Sequence, residues 1–195
     1  QNGDEIPDHL SERISGIMAL EMPKIEIRQG EPSDLDGLER LYNDLHDHLS
    51  AGENHPGWIK GYYPVRETAE KGLAENNLYI AYIDGQIAGS VILNPEDAYL
   101  GAKWGVDVDD SQILVIHTFV VHPGFSGKGV GRSLLDFSVQ LARKTGIKAI
   151  RLDVYRKNTP AIGLYEKCGF RYVDTVDLGL AGHGLDFFRL YEKVL

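Results

Sequence analysis

The stretch Ile113-Leu-Val-Ile-His-Thr-Phe-Val-Val-His-Pro-Gly-Phe-Ser-Gly-Lys-Gly-Val-Gly-Arg-Ser-Leu-Leu135 constrains this chain more than any other. It opens with a short apolar run rich in Val and Ile, which favours an extended strand over a helix. Pro123 and Gly124 end the run, because proline removes a ladder donor and glycine accepts turn dihedrals. Gly127, Gly129 and Gly131 then alternate directly ahead of a helical pattern carried by Val130, Leu134, Phe137 and Leu141, which runs to about Thr145 with Gly146 as its stop. Three absent Cβ atoms let the backbone curl and let a ligand reach the amide N–H groups. The first turn of a helix has about four N–H donors without intrahelical partners, and its dipole favours negative charge. Strand, glycine loop and helix start together predict an anion cradle suited to a pyrophosphate.

Two common phosphate motifs fail here. The dinucleotide pattern G-x-G-x-x-G needs glycine where Arg132 stands, and no P-loop string of glycine, four residues and Gly-Lys-Ser/Thr occurs. Ser126-Gly127-Lys128-Gly129-Val130-Gly131 instead resembles the acyl-CoA loop of the GNAT superfamily of N-acetyltransferases, and Val-Val-His-Pro ahead of it resembles the strand entering that loop. Ser126 stands where the family usually has Gln or Arg. Further on, Asn158-Thr-Pro-Ala-Ile-Gly-Leu-Tyr165-Glu-Lys-Cys-Gly-Phe170 is similar to the family's Asn, tyrosine-bearing helix and Gly-Phe strand entry. The resemblance covers roughly residues 24–195 and treats 1–23 as an N-terminal extension. There Leu10, Ile14 and Ile17 after Pro7 predict a short packing helix.

The resemblance implies acetyl-CoA as cosubstrate and direct transfer to an amine. An amine must be neutral to attack a thioester, yet alkylamines titrate near about 10, so a base or a water chain has to take the proton. The family often places a carboxylate for this on the central strand; aligned through Val-Val-His-Pro, His117 occupies that place, and imidazole is a side chain suited to proton acceptance at neutral pH. A hydrogen-bonded sheet histidine is the alternative. By the same resemblance Tyr165 protonates the departing thiolate, Asn158 bonds the pantetheine arm, and an N–H near Phe119 or Val120 holds the oxyanion. Val121 and the loop residues Ser126, Gly127, Lys128, Gly129, Val130, Gly131, Arg132 and Ser133 complete the expected acyl-CoA contacts, with Lys128 and Arg132 adding charge near the phosphates. A rival reading is an acyl-CoA-binding sensor or scaffold without transfer, kept open by Ser126 and by His117 in place of a carboxylate.

Composition narrows the partners. A net charge of −9 argues against nucleic acid or an anionic membrane and leans towards cationic amines, whether small molecules or peptides. The single cysteine, Cys168, rules out an internal disulfide and fits a reducing, cytoplasmic setting. It is expected to be a small buried residue rather than a nucleophile. No run approaches the ~20 apolar residues of a membrane span. Homodimers are common in the family, so a homodimer is compatible with the resemblance.

The remaining chain predicts an α/β (α+β) GNAT fold, with a mixed sheet of about six to seven strands and helices on both faces. Strands are expected at 24–28, 78–83, 86–93, 149–154, 170–176 and 185–192 beside the central one, with helices at 35–49, 67–76, 130–145 and from 159. Asp84-Gly85 marks a hairpin, Ser33-Asp-Leu-Asp36 a capping box, and Thr159-Pro160 a helix start. The aromatic loop from Ser50 to Pro64, with Trp58, Tyr62 and Tyr63, is expected either to wall the acceptor site or to pack its rings onto the core. No metal is expected: His46, His48 and His55 lack ligand spacing and are taken as solvated, as are Asp107, Asp109 and Asp110.

Overall fold

The computed structural model describes residues 23–96, 99 and 101–195, so the helix expected near Leu10 lies outside the described residues. Seven strands form one sheet: β1 (Ile25–Gln29), β2 (Leu78–Ile83), β3 (Gln86–Asn94), β4 (Ile113–Val121), β5 (Ala149–Tyr155), β6 (Arg171–Val176) and β7 (Phe188–Val194). Their spatial order is β1-β2-β3-β4-β5-β7-β6. Every neighbouring pair is antiparallel except β4 and β5. Among the described residues, four α-helices cover the sheet: α1 (Leu35–Ala51), α2 (Arg66–Ala74), α3 (Val130–Lys144) and α4 (Thr159–Lys167).

The two faces carry separate cores. Leu38, Leu41 and Tyr42 of α1 and Ala69 of α2 pack with Leu78, Ile80, Ile92 and Val120 on one face. Val130, Leu134, Leu135 and Val139 of α3 and Ile162 and Tyr165 of α4 pack with Leu114, Ile116, Ile150 and Leu152 on the other. The hairpin turn at Asp84-Gly85 has both residues at positive φ, 50° and 74°, the pair of dihedrals that matches strand twist.

Strand β4 changes face partway along. Leu114 and Ile116 belong to the α3 side, and strict alternation would send residue 120 there as well. Val120 instead lies in the α1 core, while Phe119 and Val121 pack on the α3 side. The cause is a bulge: the β3–β4 register slips between Ser90 and Ile92, and Thr118 takes a φ of 45°.

The parallel pair is brief. Strands β4 and β5 are joined only at Ile113–Ala149, Leu114–Ile150 and Val115–Arg151, after which they splay apart. Below the splay, Arg151 and Glu192 form a buried ion pair with Nε to Oε2 at 2.9 Å. Arg151 also stacks 4.2 Å from the Trp104 ring and donates to Val106 O at 3.1 Å, while Gly105 N–H donates to Glu192 at 2.8 Å. The connection before β4 is thereby tied to the sheet.

Several expectations are corrected. His46 is not solvated: it is buried, with Nε2 2.9 Å from Pro64 O. Its spacing from Tyr42 and Leu49 puts it on the same helical stripe, which its polar character disguised. The capping bond runs from Glu31 N–H to Asp34 Oδ2 at 2.8 Å, two residues before the expected Ser33–Asp36 box. Asn158, not Thr159, caps α4, and its side chain accepts from Ala161 N–H. Strand β7 begins at Phe188 rather than 185, because Asp186 is held by a bidentate pair with Arg156 at 2.7 and 2.8 Å before the chain joins the ladder.

Candidate active site

The glycine loop adopts the conformation its sequence demands. Gly127 and Gly129 have φ of 74° and 81°, and a Cβ at either would meet only open space, so the backbone is approachable there. Gly129 caps α3 without any side-chain bond, and Ser133 N–H is the first to find an intrahelical carbonyl, Gly129 O at 3.0 Å. The donors before it point out of the helix start, into the favourable end of the dipole. Ser126, Lys128 and Arg132 are exposed around this ledge, Ser133 is half-buried, and Val130 is buried beneath it. Gly131 is tight instead: a Cβ there would lie 2.9 Å from Leu164 Cδ2 and 3.4 Å from Phe119 Cζ. Its bare backbone therefore lets the loop sit against the wall of the adjoining cavity.

That cavity, of about 550 Å³, opens where β4 and β5 splay. Of the residues expected in the site, His117, Phe119, Asn158 and Tyr165 line it. The residues from Ser126 to Ser133 do not; they form the ledge on the far side of Phe119. The Val120 side chain points into the α1 core, so only its backbone is available to a ligand. Asn158 spends its side-chain oxygen as the α4 cap, Ala161 N–H lying 3.5 Å away, which leaves its amide nitrogen for anything bound.

Tyr165 is 5 % exposed, with ring centroids 5.8 Å from Phe119 and 5.9 Å from Phe170. Its hydroxyl makes no hydrogen bond to the described residues, although the residue borders the cavity. Burial, with the Asp153 carboxylate adding to it, holds the phenol well above the ordinary tyrosine range. The group stays protonated at neutral pH.

His117 sits just before the bulge, with Nε2 2.5 Å from Glu96 Oε1. A carboxylate can only accept, so Nε2 carries the hydrogen of this bond, and in the neutral ring the lone pair is on Nδ1. Asp153 lies across the splay on β5, where Tyr99 donates to its Oδ2. Burial raises the Asp153 carboxyl above its usual range, while the Tyr99 bond and the charge of His117 pull it back. Tyr63 bonds Thr118 Oγ1 at 2.5 Å and so pins the aromatic loop to the bulge. Trp58 meets Tyr63 edge-on at 5.7 Å.

The sequence reading missed Asp153, Glu96, Tyr99 and the 178–185 turn, which closes the cavity with Leu178, Leu180, His183 and Leu185. Asp153 left a signal, a lone acid in an apolar strand. Cys168 is half-buried rather than fully so, and burial pushes its thiol up, which suits an inert residue. Among the described residues no group of three His, Cys, Asp or Glu side chains is placed to hold a metal, and no helix is long and apolar enough to cross a membrane.

Comparison with known proteins agrees with this geometry. The mycothiol acetyltransferase of Propionibacterium freudenreichii is 30 % identical over 167 residues, 84 % of this chain and 52 % of that protein. A streptothricin acetyltransferase of Escherichia coli is 35 % identical over 92 residues, covering 47 % of this chain and 45 % of the relative. The chain thus spans about half the length of these curated relatives. The Salmonella typhimurium protein yncA, solved with its cofactor acetyl-CoA, shares the fold with a TM-score of 0.63 at 18 % identity, over 88 % of this chain and 94 % of that one. The model of the acetyltransferase (GNAT) family matches residues 38–170, more than half of the sequence, and the chain belongs to that family.

Proposed function

We propose that the domain transfers an acetyl group from acetyl-CoA to a primary amine by direct attack. The observation that carries this reading is the splay of β4 from β5, which sets a protonated phenol and a histidine held by Glu96 along one cavity beside an open amide ledge. The amides around Gly127, Gly129 and Val130 suit a pyrophosphate, and the exposed Lys128 and Arg132 add positive charge near it. The pantetheine arm would pass Asn158 to bring the thioester to the splay. Phe119 has no register partner in β3 or β5, so its N–H is the donor we assign to the thioester oxygen.

In this scheme His117 takes a proton from the ammonium at Nδ1, with Glu96 holding the ring and stabilising the imidazolium. The neutral nitrogen then bonds the acyl carbon, the C–S bond breaks as Tyr165 hands its proton to the sulfur, and the proton that the acylated nitrogen sheds restores the phenol directly or through water. We place the reaction in a reducing compartment such as the cytoplasm, on the strength of the single cysteine. Ser126, exposed at the head of the loop in place of Gln or Arg, favours a second reading, a module that holds acyl-CoA without transfer. Thiol release from acetyl-CoA in the presence of primary amines separates them. Amine-stimulated release supports transfer; CoA binding without release across the amines supports the module.

A further inference from the structure

Resting on the transfer reading, we infer that the acceptor is a small monoamine carried on an apolar, ring-bearing body, its single ammonium set against Asp153. The cavity falls within the roughly 300–1,000 Å³ range of small-molecule sites, at about 550 Å³. Its walls are mostly aromatic and aliphatic, and include two ring pairs, Trp58 with Tyr63 and Tyr155 with Phe188, each 5.7 Å between centroids. At the rim Ile59 and Tyr62 are 52 % and 61 % exposed, large apolar surface that a bound ring would cover.

Charge in the cavity is sparse. Among the described residues that line it, Asp153 is the one carboxylate, and no lysine or arginine is present. Tyr99 engages Oδ2 of Asp153, and no other side chain among the described residues bonds that carboxylate. One ammonium therefore finds one counter-charge, with aromatic faces nearby to receive its C–H surface and its positive field. A polyamine or an aminoglycoside would have to leave further ammonium groups against apolar walls, at the cost of their hydration. The neighbouring depression, of about 380 Å³, offers them little relief, since its lining holds Lys157 as well as Glu53. The long-range charge of −9 draws in amines of every kind, so discrimination falls to the walls.

Calorimetric titration of the whole chain, saturated with CoA, tests the assignment with 2-phenylethylamine, spermidine and kanamycin as probes and 2-phenylethanol as the uncharged control. We expect 2-phenylethylamine to bind at least about tenfold more tightly than either polycation, and Asp153→Asn to cost it about tenfold while leaving 2-phenylethanol unchanged. Trp58→Ala is expected to weaken both ring-bearing probes, and CoA affinity checks that each variant is folded. If Asp153→Asn does not fold, the probe ranking and Trp58→Ala still decide. Tighter binding of spermidine or kanamycin, or failure of 2-phenylethylamine to bind, overturns the proposal. Acetylation of a polycation in preference to 2-phenylethylamine overturns it while leaving transfer intact. Binding in the predicted order without thiol release supports the ligand class and removes the transfer reading instead.

Discussion

Tyr165 combines two properties that a proton donor needs here: a place on the cavity wall and a phenol that stays protonated. Burial first, and Asp153 second, raise its pKa, so loss of the acid form moves to higher pH than for an ordinary tyrosine. The expected kcat profile with a good amine therefore shows no alkaline decline up to about pH 10, the ordinary phenol value. A decline centred well below that, abolished in Tyr165→Phe, would contradict the assignment. Gly89 illustrates a residue fixed by packing instead. A Cβ there would stand 2.7 Å from Val120 O, a backbone atom with nowhere to move beside the bulge. Gly89→Ala is expected to lower stability by about 1–3 kcal/mol, read as a shifted denaturant midpoint. At this scale the sequence exposes residues whose neighbours are local. The glycines and Tyr165 were legible because loop, helix and tyrosine lie within short motifs. Glu96 was not, since the bond to His117 depends on how a long connection folds back, and His46 was misread because a polar name hid a core position.

At the scale of elements, position and type were largely readable from periodicity, and the errors have physical causes. Neither the bulge at Thr118 nor the brevity of the β4–β5 pairing can be told from the run Ile113–Val121, which reads as one continuous strand, yet these two irregularities create the site. The aromatic loop was legible as a candidate wall, whereas the 178–185 turn was not, because its Leu residues resemble the start of a strand. The Arg151–Glu192 pair is buried and held by further hydrogen bonds to Val106 O and from Gly105 N–H, so removing one partner leaves an uncompensated charge. Glu192→Ala is expected to cost about 3–5 kcal/mol and to loosen the connection around Trp104, visible as faster amide exchange at Gly105. Another element junction is sensitive to acid. Burial pushes the Asp34 carboxyl up, but hydrogen bonds from Arg28, Tyr82 and Glu31 N–H outweigh it and bring it below the usual range. A depressed folded-state pKa adds stability above the unfolded value, about 3.9, and that stability is lost as pH falls through the folded one. Asp34→Asn should therefore lose less stability than the wild type on acidification below about pH 4; equal acid sensitivity would count against this linkage.

The whole molecule carries a charge of −9, which gathers cations at long range and repels other anions. Raising ionic strength shortens the reach of that field, to about 8 Å at physiological salt. The KM of a cationic acceptor is accordingly expected to rise with salt while kcat stays level; a salt-independent KM would mean that recognition is confined to the cavity. At this scale the family and the layered sheet were legible, because two motifs separated by a strand specify how helices and ledge must meet. The identity of the acceptor was not, since the walls of the candidate cavity are drawn from six separate elements of the chain. The most direct test of the central claim compares wild type and Tyr165→Phe for CoA affinity and for amine-dependent thiol release. Transfer with Tyr165 as proton donor predicts unchanged CoA binding and a fall in kcat of about 10²–10⁴-fold. An unchanged kcat would contradict it.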